Sequence, residues 1–374
     1  MVLVVFSDHD LNSTGHTGAN GNAPEERKRL VQKALRTSQK CRFLKIEKPE
    51  ASLVPLGSIV HDYGMLLFFE NAWEAWEREW SKKPNNHLIG VFCSENSDAK
   101  DPHPPPFVTG YAAPRTFGQK PSKHLFGQAC FYSMDRETPI HSSTTHTLKW
   151  DLAVTKEVVR QVSKGIVRIA YAQITHPGHH AGSASYGGFC FINQAAIAVE
   201  LLKQEKFKRV AVIDVDYHAG NGTMSIFWND PAVFFASIHG DPEIEYPFNS
   251  GFADQNGGES AQGTTLNIPL PGKTNWATYK QHLKKVIEEV KRFNAQALVV
   301  SLGVDTLRDD PVALPEGRFC LDPRDYIEMG EMLLNKDLCL PTVVIQEGGY
   351  KLDDVPYAIT AFLTGTLPGS QSFL

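Results

Sequence analysis

Short, almost wholly apolar segments recur along this chain, and no other feature restricts its fold as strongly. Six of them are rich in β-branched residues, at positions 2–6, 167–172, 209–215, 233–238, 298–302 and 342–346. Strands this apolar are typical of a parallel sheet whose two faces are both covered by helices. Helical patterns of apolar residues lie between them, at about 66–80, 148–163, 194–203 and 276–293. The alternation predicts a doubly wound α/β domain with right-handed crossovers.

The bulk composition narrows the classes of function open to the chain. Its 374 residues suit one large α/β domain with insertions or two domains, and 42% hydrophobic with 21% charged residues suits a soluble enzyme. A formal net charge of -5 gives no reason to expect nucleic-acid binding. No apolar stretch approaches the roughly 20 residues that span a bilayer, so no membrane partner is expected. Six cysteines without a Cys-x-x-Cys pair fit a reducing, cytoplasmic setting.

Segment 97–123 differs from the rest of the chain. It is rich in proline and has no helical or strand periodicity. A long loop of this kind inside a compact domain usually has a functional role or is mobile. We interpret it as an insertion that covers an active site or contacts a second subunit.

Four polar clusters follow the predicted strands. They lie at 174–181, 213–222, 301–305 and 346–350, each where a strand should end. Because parallel strands place their carboxyl ends along one edge of the sheet, the four clusters should converge there, where ligands bind in such sheets.

Three residues of these clusters form a candidate metal site. Asp216 and His218 are two positions apart, so they point the same way from an extended segment, and Asp305 arrives from another strand end. Two carboxylates and one imidazole with an open position suit catalytic zinc. Hydrogen-bonded acids that cap strand ends are the alternative. Asp214 lies two positions before Asp216, so its side chain should point the same way. It orients a histidine or binds a monovalent cation.

The other polar residues have roles that a metal site would require. A Pro-Gly turn lets His179 and His180 both enter a pocket, where one serves as general base and the other as electrostatic partner or acid. Tyr350 follows two glycines and can donate a hydrogen bond to a carbonyl oxygen that gains charge. Without the metal, all three would be ordinary loop residues. Cys190 is interpreted as a small buried residue rather than a nucleophile.

Four motifs occur together in one order: Pro-Gly-His-His, Asp-Val-Asp-Tyr-His-x-Gly-Asn-Gly, Ser-Ile-His and Glu-Gly-Gly-Tyr. On these motifs the chain, from about Ile59 to its C-terminus, resembles the zinc-dependent deacetylases of the arginase-deacetylase fold. The resemblance implies a single α/β domain over residues 1–374, with a mostly parallel sheet of about eight strands and helices on both faces. It also implies one zinc ion per chain and a structural potassium ion.

Residue roles follow from the same resemblance. The implied zinc ligands are Asp216, His218 and Asp305. His180 is the implied general base with His179 beside it, and Tyr350 polarises the scissile carbonyl together with zinc. The implied potassium site uses Asp214, Ser237 and the backbone of Ile238. The implied walls of a narrow substrate channel are Gly188, Phe189 and Tyr246.

Within that family, segments 239–246 and 301–306 are most similar to bacterial acetylpolyamine amidohydrolases. The insertion up to residue 123 is similar to the loop with which those enzymes dimerise and narrow their entrance. The implied function is release of acetate from acetylpolyamines or related N-acetylalkylamines by a homodimer. Phe126 replaces an acidic residue of that pattern, whereas Glu137 matches another. Three further acidic residues lie near the expected rim of the channel: Asp241, Glu243 and Glu245. Simple exposure to solvent would also explain acidic residues at these positions.

Three alternatives remain open at this stage. A lysine deacetylase acting on proteins or peptides would use the same chemistry. A binding module that kept only the fold would have lost a ligand, the base or the tyrosine, and none is lost here. An arginase-like ureohydrolase would hold two metal ions per chain.

Overall fold

The computed structural model describes residues 1–9, 24–82, 89–93, 103–110 and 118–368. Within these residues one sheet has eight strands: β1 (Val2–Phe6), β2 (Cys41–Lys45), β3 (Ile169–Ala172), β4 (Val210–Asp214), β5 (Val233–Gly240), β6 (Thr265–Leu270), β7 (Ala297–Leu302) and β8 (Thr342–Gln346). Their order is β2-β1-β3-β8-β7-β4-β5-β6. Every neighbouring pair is parallel. The predicted single α/β domain with an eight-stranded parallel sheet is confirmed.

The helices of the described residues are α1 (Pro24–Ser38), α2 (Val54–Gly57), α3 (Tyr63–Trp80), α4 (Leu125–Tyr132), α5 (Thr144–Ser163), α6 (Gln194–Glu205), α7 (Asn221–Phe227), α8 (Trp276–Phe293), α9 (Asp325–Gly330) and α10 (Val355–Thr364). Short polar side chains set three of their starts. Asp62, Asn193 and Asn275 each accept a hydrogen bond from a free N–H of the first turn. The cap at Asp62 explains why α3 begins before the predicted residue 66.

The helices cover both faces of the sheet. Consecutive strand residues point to opposite sides, so the apolar residues of one strand pack against helices on both faces. Val300 packs in one core cluster with residues of α1, α8 and α10, whereas Val299 packs in a second with residues of α5, α6 and α7. A third cluster lies beside the sheet and joins α3 to α4 through aromatic side chains such as Trp76 and Phe126. The prediction of helices on both faces is confirmed.

The two strands that sequence patterns did not indicate, β2 and β6, are the two edges of the sheet. An edge strand has a neighbour on one side only, so its side chains need not be uniformly apolar. The residues of β2 are all partly or fully exposed, and β6 contains Pro269, which lacks a backbone donor.

The insertion is described in part. Phe107 is fully buried, and its N–H donates to the carbonyl oxygen of Ile140 at 2.9 Å. Residues 97–102 and 111–117 lie outside the described residues. Among the helices that are described, none combines the length and the apolar character needed to cross a bilayer.

The packing of α8 on the sheet gives a stability prediction. Leu283 is fully buried in the first core cluster. Leu283→Ala removes apolar contacts and leaves a cavity, so the free energy of unfolding should fall by about 2–5 kcal/mol. Equilibrium denaturation in urea measures this change. The exposed neighbour supplies the control, since Lys284→Ala should shift the free energy by no more than about 0.5 kcal/mol. Equal losses in both variants would contradict the packing described.

Candidate active site

The carboxyl ends of β4 and β7 bring the candidate metal ligands together. Asp216 and His218 follow the end of β4, and Asp305 follows the end of β7. One potential ligand atom of each lies within 4.8 Å of the others. The three residues are at most 8% exposed. This is the arrangement of three protein donors that a catalytic zinc ion uses.

Backbone N–H groups hold the two carboxylates in place. Asp216 accepts from the N–H of Gly348 at 2.9 Å, and Asp305 accepts from the N–H of Tyr217 at 2.8 Å. Glycine is required where these backbones approach. A Cβ on Gly303 would lie 2.1 Å from Asp216 Oδ2, and one on Gly348 would lie 2.6 Å from the same atom.

The electrostatics of this donor set fit a divalent cation. Burial acts to lower the pKa of His218, but hydrogen bonds to Asp216 and Asp305 outweigh it and raise the pKa to about 10. Burial, together with the Asp216 charge, raises the pKa of Asp305 to about 7. The set therefore attracts positive charge strongly. Because imidazole coordinates a metal in its neutral form, zinc would replace the proton on His218.

The histidine pair has two different environments. Nδ1 of His179 lies 2.9 Å from Asp214 Oδ2, whereas Nδ1 of His180 lies 2.7 Å from the amide oxygen of Asn221. Burial acts to lower the pKa of His179, but Asp216 and Asp214 raise it well above its usual value. Burial and the charges of neighbouring histidines hold the pKa of His180 well below its usual value. The pKa of His179 therefore lies far above that of His180.

Glu347 positions the turn that carries this pair, and sequence patterns assigned it no role. Its Oε2 accepts from the N–H of Gly178 at 2.6 Å and from that of His179 at 3.3 Å. Its Oε1 accepts from the Ser301 hydroxyl at 3.1 Å. Glu347 and Asn221 both lie inside the polar clusters that follow the strands. Their place in these clusters was the only sequence signal that could have assigned them to the site.

Tyr350 is positioned through its backbone. Its N–H donates to Asp310 Oδ2 at 2.7 Å. The guanidinium of Arg27 donates to the carbonyl oxygens of Gly349 at 3.1 Å and Glu347 at 3.2 Å. It also lies 5.6 Å from the centre of the Tyr350 ring. Burial raises the pKa of the Tyr350 phenol well above its usual value, so the hydroxyl keeps its proton.

One cavity of about 370 Å³ is common to all these groups. The residues predicted for zinc and catalysis line it: Asp216, His218, Asp305, His179, His180 and Tyr350. The residues predicted for substrate contact line it as well: Gly188, Phe189, Tyr246 and Glu137. The residues predicted for potassium, Asp214, Ser237 and Ile238, are fully buried and are not among its lining residues. Cys190 is fully buried.

Asp135 holds two walls of the cavity together, and no sequence pattern indicated it. Its Oδ2 accepts from the N–H of Gly188 and from the Tyr246 hydroxyl, both at 2.7 Å. Gly188 has a φ of +57°, and a Cβ there would lie 2.4 Å from a ring carbon of His180. Only glycine lets this wall approach the histidine so closely.

The positions discussed from the sequence as sites of acidic residues differ in burial and in whether they line the cavity. Phe126 is buried, with its ring centre 4.3 Å from that of Phe92, and it is not among the residues that line the cavity. Glu137 is exposed and lines the cavity. Glu243 is exposed and Asp241 partly so, whereas Glu245 is only 2% exposed and lies in the cavity wall. Solvation therefore explains Glu243 but not Glu245.

Comparison with known proteins agrees with this geometry. A model of the histone deacetylase domain matches residues 23–366. Acetylpolyamine amidohydrolase 2 of Pseudomonas aeruginosa is 35% identical over 296 residues, which are 79% of this chain and 78% of that protein. The acetylpolyamine amidohydrolase of Burkholderia pseudomallei is 31% identical over 353 residues, 94% of this chain and 93% of that protein. A crystal structure of acetylpolyamine aminohydrolase from Burkholderia pseudomallei matches with a TM-score of 0.81 at 28% identity, over 98% of each chain.

The donor set gives a prediction about metal binding. Zinc at 100 times its dissociation constant should stabilise the protein by about 2.7 kcal/mol and raise its melting temperature. Asp305→Asn should remove most of this increase, because it deletes one anionic ligand. Differential scanning fluorimetry of metal-free protein with added zinc measures both. Asp309→Asn, at an exposed residue nearby, should respond like the parent protein. A full zinc response in Asp305→Asn would contradict the ligand assignment.

Proposed function

The chain belongs to the histone deacetylase family and has the arginase-deacetylase fold, and we propose that it is a zinc-dependent amidohydrolase of acetylated polyamines or related N-acetylalkylamines, from which it releases acetate. The observation that carries this proposal is the cavity itself. It joins a three-residue zinc donor set, two histidines whose pKa values are shifted in opposite directions, and a tyrosine whose pKa is raised. Relatives named acetylpolyamine amidohydrolases match most of the chain.

The proposed site holds one zinc ion per chain at Asp216, His218 and Asp305. Zinc bound there supplies a Lewis acid for the acetyl carbonyl and lowers the pKa of water. His180 then accepts a proton from the attacking water, since its low pKa keeps the ring neutral and ready to act as base. Its Nδ1 is occupied by the Asn221 side chain, which leaves Nε2 for this transfer.

The remaining steps use the other two predicted catalytic residues. The Tyr350 hydroxyl donates a hydrogen bond to the acetyl oxygen as negative charge develops on it. His179 stays protonated beside Asp214 and provides positive charge next to the base. His180 returns its proton to the nitrogen of the leaving amine, and acetate and the free amine are released.

The aromatic lining of the cavity supports a substrate with an apolar alkyl chain. Phe189 and Tyr246 both line it, with the Phe189 ring 5.8 Å from that of Tyr350 and the Tyr246 ring 4.8 Å from that of His180. The second candidate, a peptide or protein lysine deacetylase, is favoured by one observation. Phe248 and Leu314, which line the cavity, are 57% and 47% exposed and could contact a peptide backbone.

We further propose a structural potassium ion at Asp214, Ser237 and the backbone of Ile238. Asp214 and Ser237 are paired across β4 and β5, and burial raises the pKa of Asp214, so a nearby cation would stabilise its charge. Segment 97–123 is the proposed contact of a homodimer. A cytoplasmic location is supported by the six cysteines, which lie within the described residues and form no disulfide there. The melting temperature measured with and without potassium tests the proposed potassium site. The molar mass from light scattering tests the proposed homodimer.

Acetate release across a panel of substrates tests the proposed function. Acetylputrescine and longer acetylated amines should give higher kcat/KM than acetyl-lysine peptides, because the relatives that match most of the chain are named acetylpolyamine amidohydrolases. Negligible turnover of every free acetylamine would contradict the polyamine assignment. Turnover of peptides alone would establish the second candidate.

The role of Tyr350 gives a separate prediction. Tyr350→Phe removes the donor to the developing oxyanion and should lower kcat by about 10²–10³-fold. Zinc content should stay at the parent value, since the phenol is not a ligand. Tyr357→Phe, at an exposed tyrosine of α10, is the matched control and should keep full activity. Full activity in Tyr350→Phe would exclude the assigned role.

A further inference from the structure

We infer that Glu245 is the residue that binds a free ammonium group of the substrate and thereby sets a preference for cationic acetylamines. The inference rests on the proposed function and names the group that selects its substrate class. It concerns recognition only, since the reaction already described needs no charge at this position.

Glu245 differs from Asp241 and Glu243 in being buried and in lining the cavity. It is 2% exposed and lies in the wall of the cavity that contains the zinc donors and Tyr350. Glu243, two residues before it, is exposed and is not among the lining residues. A carboxylate in such a wall interacts with a cation more strongly than an exposed one, because little water screens the pair.

The carboxylate of Glu245 accepts a backbone hydrogen bond, but within the described residues it forms no ion pair with a cation. Its Oε1 accepts from the N–H of Leu314 at 3.0 Å, and the Tyr217 hydroxyl lies beside it. Within the described part of the chain, it forms no ion pair with a lysine, arginine or histidine. A buried charge without a counter-ion is unfavourable. An ammonium group that enters the cavity would supply the missing charge.

The surroundings of Glu245 fit an alkylammonium. Tyr246 and Phe248 follow it in sequence and line the same cavity, so aromatic rings can contact the methylene chain and the cation. Gly317 packs directly against the carboxylate, because a Cβ there would lie 2.2 Å from Glu245 Oε1.

The other acidic candidates are less suited to this role. Phe126 carries no charge and packs in the third core cluster. Glu137 lines the cavity but is exposed, so solvent weakens its attraction for a cation. Glu245 therefore provides the negative charge that Phe126 does not.

A pair of isosteric substrates tests the inference on the zinc-loaded protein. N-acetylputrescine carries a terminal ammonium, whereas N-pentylacetamide has a methyl group at the same place. Glu245→Gln should lower the ratio of kcat/KM for the charged over the neutral substrate at least tenfold, mainly through KM. Glu243→Gln is the control and should keep the parent ratio. A Glu245→Gln variant that loses activity on both substrates equally, with the ratio unchanged, would overturn the inference in favour of a purely structural role.

A binding measurement separates this inference from the proposed function. Calorimetric titration with putrescine needs no turnover. Putrescine affinity should fall at least tenfold in Glu245→Gln and stay at the parent value in Glu243→Gln. If the protein hydrolyses no acetylamine, the proposed function fails, and the titration still decides whether Glu245 binds the ammonium. Equal putrescine affinity in the parent protein and Glu245→Gln would overturn the inference.

Discussion

Buried negative charge at the carboxyl edge of the sheet is the constraint on which the rest of this structure depends. Four carboxylates there are at most 1% exposed: Asp214, Asp216, Asp305 and Glu347. Such a concentration of charge is strongly unfavourable unless each oxygen is paired. Backbone N–H groups and histidine rings pair most of them, and a zinc ion would complete the balance. The groups that make the edge stable are therefore the groups that make it reactive.

Their neighbouring side chains distinguish the two histidines of the site, His179 and His180. They are adjacent in sequence, and their ring centres are only 4.0 Å apart. A carboxylate faces one and an amide faces the other, and together with burial and the Asp216 charge this difference moves their pKa values in opposite directions. Two copies of one residue type thus acquire very different affinities for a proton. Charge on the first ring also helps to keep the second neutral.

Much of this could be predicted from the sequence, and the physical reason is periodicity. Doubly buried strands leave an apolar pattern that polar residues interrupt only at strand ends, which is why the convergence of Asp216, His218 and Asp305 could be anticipated. Edge strands leave a weaker pattern, so β2 and β6 were missed. Asp135 and Glu245 could not be assigned because their environments depend on contacts between distant segments. Glu243 and Glu245 are the same residue type two positions apart, and only the fold buries one of them.

The contacts of Arg27 have a consequence for how the active site is made. Its guanidinium binds backbone oxygens that lie 320 and 322 residues later in the chain, as well as the carbonyl oxygen of Thr175. During translation Gly349 is added 322 residues after Arg27. The contacts of Arg27 with the turn that presents Tyr350 therefore form only after translation has passed residue 349. A nascent chain that stops before residue 347 therefore lacks both of these contacts and the tyrosine that they position.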